Sequence, residues 1–305
     1  MNKTEFDNII KKNLVNKYGE DKFGYVIDGK CYDNYYCNEE FQAFKKEMEH
    51  KDEYSRYYSS YYAGAGSELK EKKSRYGFVP PKMASVASSS RFCYLALRDG
   101  AANDLIGGNK VQFEYECEIS DINSKTYPQL DAFIEDSNTF IEAKCHEIFD
   151  HHQIVMSKKY IEYLSRDFGI DLEGMIEEEK IRIPLSEFGI NKEDSRFDIK
   201  QLLCHLIGIS SKKKKLELDH VNLTYMFFKP KTSDEVINQK IDKIFDDLTD
   251  EINQIFTNKH ICIFTAKHNI TLKVIAEYSE IMESVTKAEI IDLLYSEGNI
   301  ETADI

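Results

Sequence analysis

The segment QLDAFIEDSNTFIEAKCHE, at 129–147, places charged side chains inside two runs that otherwise have the composition of buried strands. Asp131 lies in the first run, and Glu142 and Lys144 lie in the second. Isolated charges are costly to bury, so they are retained when they are paired or when they hold a metal ion. Two carboxylates suit a hard cation such as Mg²⁺, and a nearby lysine can stabilise a charged transition state. These residue types could therefore support metal-assisted hydrolysis of phosphodiester bonds.

A tight turn at 136–138 predicts that the two runs form an antiparallel hairpin. Side chains alternate between the two faces of a strand, so Glu142 and Lys144 share one face. Asp131 can lie beside either of them, depending on the register of the hairpin. The spacing alone leaves two interpretations open, a metal-dependent hydrolytic site and a cross-strand salt bridge on a solvated face.

The elements around this hairpin predict an α/β protein with a mixed central sheet. The expected core is, in chain order, a helix at 82–98, strands at 111–119, 129–135 and 139–147, a helix at 195–209 and a strand at 221–228. Further helices are predicted at 4–18, 38–62, 151–165, 233–256, 271–284 and 286–296, and further strands at 260–266 and within 180–188. The run at 221–228 is almost continuously β-favouring, which is typical of a strand covered on both faces.

Two adjacent prolines in GFVPPKM, at 77–83, predict a domain boundary because proline disfavours both helices and central strands. We therefore divide the chain into a helical, tyrosine-rich N-terminal region at 1–76, a core at 77–270 and a helical C-terminal tail at 271–305. In the N-terminal region, five tyrosines would share one face of the helix at 38–62: Tyr54, Tyr57, Tyr58, Tyr61 and Tyr62. Such a stripe can stack on unpaired bases, although it more often forms packing surface.

The formal net charge of −14 argues against a polyanionic partner unless positive charge is concentrated locally. The densest positive run consists of four consecutive lysines: Lys212, Lys213, Lys214 and Lys215. They follow the predicted helix at 195–209, in an expected loop. They could bind DNA phosphates there, or they could be a solvated loop.

The remaining composition narrows the classes of protein. No apolar run is long enough to predict a membrane span, and the N-terminus lacks an apolar signal region. The seven cysteines are dispersed without a C-x-x-C pair, which favours reduced thiols in the cytoplasm over a disulfide framework. His146, His151 and His152 suggest a zinc site as an alternative, but the sequence has no H-E-x-x-H motif. The sequence also has no phosphate-binding G-x-x-x-x-G-K loop, so it does not indicate ATP binding.

The strands LDAFIE and TFIEAK resemble the catalytic hairpin of the PD-(D/E)XK nuclease superfamily, which has the restriction-endonuclease-like fold. Asp131 matches the aspartate of the motif, Glu142 its second acid and Lys144 its lysine, whereas Leu130 replaces the proline, which many members lack. The order of the predicted core, helix, three strands, helix, strand, also matches the superfamily. The resemblance covers about residues 85–230.

The helix QLLCHLIGI resembles the second core helix of bacterial restriction-endonuclease-like proteins that carry a Q-x-x-x-H pattern, which Gln201 and His205 match. Many members hold metal with a glutamate on the first core helix, and 82–98 contains none. Glu116 on the first strand is the expected substitute, with Glu114 and Glu118 as rivals. Gln201 and His205 lie opposite the apolar stripe of their helix, so they are expected either at a substrate cleft or in solvent.

The resemblance implies a Mg²⁺-dependent DNA endonuclease of restriction or phage defence, with Mn²⁺ able to substitute. It implies duplex DNA as the partner and a homodimer that cuts both strands. Asp131, Glu142 and Glu116 would hold the metal, and Lys144, Gln201 and His205 would complete the catalytic set. A second hypothesis is favoured by the acidic charge and the missing helix glutamate: a catalytically inactive nuclease fold that binds or regulates within a larger assembly.

Overall fold

The computed structural model describes residues 1–51, 56, 68–122, 127–279 and 288–290. In these ranges the helices are α1 (Lys3–Tyr18), α2 (Asn38–Glu49), α3 (Ser89–Leu97), α4 (Ala101–Ile106), α5 (Ile161–Arg166), α6 (Ile199–Lys215), α7 (Glu235–Phe256) and α8 (Lys259–His268). The strands are β1 (Phe23–Ile27), β2 (Lys30–Tyr36), β3 (Lys72–Ser74), β4 (Gly77–Val79), β5 (Val111–Glu116), β6 (Gln129–Ile134), β7 (Thr139–Lys144), β8 (Ile154–Ser157), β9 (Ile176–Glu177), β10 (Lys180–Ile183), β11 (Val221–Pro230), β12 (Ile270–Ser279) and β13 (Ala288–Ile290).

A mixed sheet forms the centre, with the strand order β13-β12-β11-β7-β6-β5. β5, β6 and β7 are antiparallel neighbours, whereas β11 pairs in parallel with both β7 and β12. Parallel neighbours need long crossover connections, and α6 lies on the chain between β7 and β11 while α7 and α8 lie between β11 and β12. The predicted α/β class with a mixed central sheet is therefore confirmed.

The six elements α3, β5, β6, β7, α6 and β11 occur in the predicted order. α3 is shorter than the predicted helix at 82–98, because it begins only after Ser88, whose side chain accepts a hydrogen bond from the N–H of Arg91. It packs against β6 and β7. β11 is buried along most of its length, as its β-favouring run predicted.

The C-terminal predictions at 260–266 and 271–284 were wrong. The first segment is helix α8, which Asn258 caps by accepting from the N–H of His260. The second is mostly strand β12, which pairs with β11 over ten residues. In β12 Ile270, Leu272 and Val274 are buried and alternate with more exposed residues, a period-two signal that the sequence reading missed. Short apolar runs do not distinguish helix from strand until a pairing partner is known.

The predicted helical tail at 271–305 is thus wrong for 271–279, and 288–290 forms strand β13. The rest of the tail lies outside the described residues. The prediction for 151–165 was partly wrong, because the segment contains strand β8 before helix α5. β8 joins β10 and β9 in a small antiparallel sheet, and β10 confirms the strand expected within 180–188.

The N-terminal region is helical at α1 and α2, but it also contains the antiparallel β1–β2 hairpin, which the sequence reading missed. α2 ends at Glu49, and the five tyrosines predicted to form a stripe lie outside the described residues. This region shares its hydrophobic core with the rest of the chain, since buried residues form one cluster from Phe6 to Val274. The boundary predicted at residue 77 also divides a hairpin, because β3 pairs with β4 across it.

Among the described residues, no helix combines the length and the apolar character needed to cross a membrane. All seven cysteines are free thiols.

Candidate active site

The register of the β6–β7 hairpin decides which residue lies beside Asp131. Ala132 pairs with Ile141, and the same register continued by one step puts Asp131 opposite Glu142. At that step the regular pairing stops, and the Asp131 side chain accepts a hydrogen bond from the backbone N–H of Ala143, with Oδ2 2.7 Å from the nitrogen. Of the two registers that the sequence allowed, the structure therefore has the one that joins the two acids.

Glu142, Lys144 and Gln201 form a closed set of hydrogen bonds between β7 and α6. The Lys144 ammonium donates to Glu142 Oε1 at 2.6 Å and to Gln201 Oε1 at 2.7 Å. The Gln201 side-chain amide donates in turn to the same oxygen of Glu142 at 2.8 Å. Gln201 lies in the first turn of α6, which Asp198 caps by accepting from its backbone N–H. The N-terminus of α6 thus fixes the orientation of the Glu142 and Lys144 side chains.

His205 lies one turn further along α6 and is only 2 % exposed, so it is not in solvent. Its Nε2 is 3.7 Å from Glu142 Oε2, and its Nδ1 is 3.5 Å from the hydroxyl of Tyr225. Tyr225 is the β11 partner of Glu142 in the parallel register. Burial lowers the pKa of His205, an effect that the nearby Glu142 only partly offsets. His205 therefore forms the inner wall of the site behind Glu142.

Negative charge is in excess around Asp131. Burial raises the pKa of Asp131 well above its usual range, and the carboxylates of Glu142 and Glu114 raise it further. Burial alone would lower the pKa of Lys144, but Glu142, Glu147 and Asp131 together more than offset this, and the pKa is raised. Crowded acids of this kind favour any bound cation that reduces their repulsion.

The expectation that Glu116 joins the site is corrected by the structure. Glu116 is exposed and pairs in register with Gln129, whereas Glu114 lies opposite Asp131 and its charge acts on that residue. The rival Glu118 forms a surface ion pair with Lys215 at 2.9 Å.

The backbone of Glu114 has a left-handed φ of 52°. Burial still alternates along β5, since Phe113 and Tyr115 are buried, whereas Glu114 is half-buried and Glu116 is exposed. The ring of Phe113 packs against Tyr94 of α3, whereas Tyr115 packs against Phe133 and Phe140. Strict alternation puts Glu114, Glu116 and Glu118 on one face of the strand, so it could not decide which of the three lies beside Asp131.

A cation beside the site was missed altogether. Lys82 forms an ion pair with the buried Glu68 at 3.0 Å, and although burial alone would lower its pKa, Glu68, Glu114 and Asp131 raise it. Lys82 follows Pro80 and Pro81 directly, and no motif marks it. Its role depends on how the chain before α3 folds back toward β5 and β6.

The predicted DNA-binding lysines lie elsewhere, because they form the last turn of α6 rather than a loop. Lys213 donates to the carbonyl of His268 at 2.7 Å, and Lys212 lies over the ring of Tyr115 at 4.9 Å. Lys215 is the partner of Glu118. From Gln201 to Lys214 a helix rises roughly 20 Å. The lysine run is therefore at the far end of α6 from Gln201 and from the Glu142–Lys144 pair that Gln201 contacts.

The fit of a metal to this site depends on the two acids of the hairpin. Among the described residues, no group of three or more His, Cys, Asp or Glu side chains is arranged to hold a metal ion. Mg²⁺ is commonly bound through only one or two carboxylates while it keeps several waters, so the Asp131–Glu142 pair fits that pattern. The histidines suggested for zinc do not converge, since each faces a different carboxylate: His146 faces Asp7, His151 faces Asp194 and His152 faces Asp198.

Comparison with known proteins found no family model, no curated protein and no solved structure that matches this chain. The functional interpretation therefore depends on the geometry of the site.

Proposed function

We propose that this chain is a metal-dependent endonuclease of the PD-(D/E)XK type that hydrolyses phosphodiester bonds in DNA. The observation that supports this best is the meeting of Asp131, Glu142 and Lys144 at one end of the β6–β7 hairpin, with Gln201 bonded to both Glu142 and Lys144. Restriction or phage defence and a homodimeric state belong to the same proposal.

Asp131 and Glu142 would hold Mg²⁺, or Mn²⁺ in its place, and Glu114 would add negative charge beside them. Bound there, the ion would polarise the scissile phosphate and make an attacking water more acidic. Lys144 would stabilise the charge that develops on the phosphate oxygens, since its ammonium is held in place from two sides. Gln201 would act as a positioning residue for Lys144.

The test is cleavage of supercoiled plasmid by the full chain with Mg²⁺ or Mn²⁺. Asp131→Asn and Lys144→Ala should each abolish nicking and linearisation while the thermal unfolding midpoint stays within a few degrees of wild type. Glu118→Gln is the matched control, since it removes an exposed acid two residues beyond the end of β5. If either site variant cuts as fast as wild type, the assignment of the site is wrong.

One observation favours the second candidate, a nuclease fold that binds or regulates without cutting. Glu142 Oε1 already accepts from both Lys144 and Gln201, which leaves less of that carboxylate for a metal. Titration calorimetry with Mg²⁺ and Mn²⁺ separates the two candidates. A working site should give heat in the millimolar range or tighter that disappears in Asp131→Asn, whereas an inactive module should give the same trace for both proteins.

A further inference from the structure

A basic and aromatic hairpin precedes the active-site core. β3 and β4 pair in antiparallel register, with Lys72 opposite Val79 and Lys73 opposite Phe78. Arg75 and Tyr76 form the two-residue turn, which is stabilised by a hydrogen bond from the Ser74 hydroxyl to the carbonyl of Gly77 at 2.7 Å. Gly77 has a φ of 110°, a conformation that glycine adopts without strain.

The side chains of this hairpin point into solvent to an unusual degree. Tyr76 is 91 % exposed and Phe78 is 42 % exposed, although both are large aromatic residues. Lys72, Lys73 and Arg75 are exposed as well. We call these five residues the hairpin surface. Single exposed aromatics are common, but two exposed aromatics and three exposed cations within seven residues suit a ligand with both charge and flat rings.

The charge of this segment is opposite to that of the whole chain. Residues 70–82 contain five cations, Lys70, Lys72, Lys73, Arg75 and Lys82, and a single acid, Glu71, whereas the whole chain has a net charge of −14. None of the three cations of the hairpin surface forms an ion pair with any of the residues that the structure describes. They differ in this from Lys215 at the end of α6, which pairs with Glu118 at 2.9 Å.

The hairpin surface is also connected to the active site by a short stretch of chain. β4 is followed by Pro80, Pro81 and Lys82, and the charge of Lys82 acts on Glu114 and Asp131. Four residues lie between Gly77 and Lys82, so the two are at most about 17 Å apart. A duplex presents one phosphate per 1.7 Å of its axis, so phosphates at the hairpin and at the site could belong to one bound duplex.

We propose that the hairpin surface is the element that holds DNA beside the active site. Lys72, Lys73 and Arg75 contact phosphates, and Tyr76 at the tip packs against a sugar or base. A two-stranded β-ribbon has the width to enter a major groove, and phosphate contacts would position the duplex without reading its sequence. The choice of DNA as the polyanion rests on the proposed nuclease function. The exposure of the cations and aromatics is observed independently of that function.

The experiment uses the full chain with Asp131→Asn, so that the DNA stays intact, and measures binding to a 30-base-pair duplex across a salt series. In that background Lys72→Gln, Lys73→Gln and Arg75→Gln are combined. Loss of three phosphate contacts should reduce the slope of log K against log salt by up to about 2.7. Tyr76→Ala should weaken binding with little change in slope, because it removes no charge.

The matched control combines Lys212→Gln, Lys214→Gln and Lys215→Gln, which removes the same charge from the far end of α6 and keeps the Lys213 bond. Its slope should stay that of the parent. The hairpin residues are exposed, so the unfolding midpoint of the hairpin variant should also be unchanged. Equal slopes for parent and hairpin variant, or no binding of the parent to DNA at low salt, would overturn the proposal.

An anionic membrane is the competing partner, tested with phosphatidylserine vesicles. Binding of the parent to vesicles but not to duplex DNA would also overturn the proposal. The proposed nuclease function and the hairpin assignment can fail independently of each other. If the hairpin variant loses DNA binding but the wild type cleaves no DNA with Mg²⁺ or Mn²⁺, the hairpin assignment stands and the nuclease assignment fails. If the wild type cleaves DNA but binding is independent of the hairpin, the nuclease assignment stands and the hairpin assignment fails.

Discussion

The carboxylate of Asp131 accepts a hydrogen bond from the backbone N–H of Ala143, 2.7 Å away, where the regular pairing of β6 with β7 ends. A side chain thus satisfies a backbone donor that would otherwise pair with the neighbouring strand. This bond uses only Oδ2 of the carboxylate. It fixes the Asp131 side chain next to Glu142, and it gives the site a geometry that can be tested residue by residue.

On the proposed nuclease function, Gln201→Leu should reduce metal-dependent cleavage of plasmid DNA about 10- to 100-fold, the usual range for the loss of a residue that orients a catalytic group. The variant loses the bond from Lys144 and the bond to Glu142, so both charged side chains gain freedom. Lys200→Ala on the exposed side of the same helical turn is the control and should cut at the wild-type rate. A Gln201→Leu variant that cuts plasmid DNA at the wild-type rate would contradict the positioning role.

The third acid of the site is tested by a pair of neighbouring changes on β5. Glu114→Gln should weaken the apparent affinity for Mg²⁺ in the cleavage assay, since it removes a negative charge that acts on Asp131. Glu116→Gln should leave the Mg²⁺ dependence unchanged, because Glu116 is exposed. The measurement is the cleavage rate as a function of Mg²⁺ concentration. The opposite result would restore Glu116 as the third acid of the site.

Arg91→Ala should lower the free energy of unfolding in urea by about 2 to 3 kcal/mol. The guanidinium lies over the rings of Tyr36 and Phe44, at 4.0 and 4.1 Å, and it donates to the carbonyl of Met83. These contacts join the N-terminal region to α3. Arg75→Ala, at an exposed turn, should change the unfolding free energy by less than about 0.5 kcal/mol. Equal stability of the two variants would show that the Arg91 contacts contribute little.

Asp167 should contribute a stability that depends on pH. Hydrogen bonds from Arg166, together with Lys267, lower the pKa of this buried carboxyl to about 2. Because the pKa is lower in the folded state than in the unfolded chain, the stabilisation is complete above about pH 4 and is lost as the pH falls toward 2. Asp167→Asn should therefore cost about 2 kcal/mol at pH 7 and little at pH 2.

The check is urea unfolding of wild type and Asp167→Asn at several pH values. The exposed Asp246 on α7 provides the control, and its change to Asn should give a small difference that does not vary in this way. A constant difference between Asp167→Asn and wild type from pH 7 to pH 2 would contradict the role assigned to the ion pairs.

The sequence by itself determined the local part of the site. Period-two alternation placed Glu142 and Lys144 on one face, and the turn at 136–138 made β6 and β7 neighbours, because both properties depend only on residues close together in the chain. Gln201 and His205 on one side of α6 also followed from the helical period. The α/β order of the core was predictable for the same reason.

Tertiary structure decided everything that depended on pairing between distant segments. The acid whose charge acts on Asp131 is Glu114 and not Glu116, the lysine run lies about 20 Å along α6 from Gln201, and pairing with β11 makes 270–279 a strand. The charge of Lys82 acts on Glu114 and Asp131, although Lys82 lies about 30 and 50 positions away from them in the sequence. Alternation and composition depend only on the order of residues in the chain. The electrostatic field at Asp131 depends instead on which charges the packed elements bring within a few ångströms.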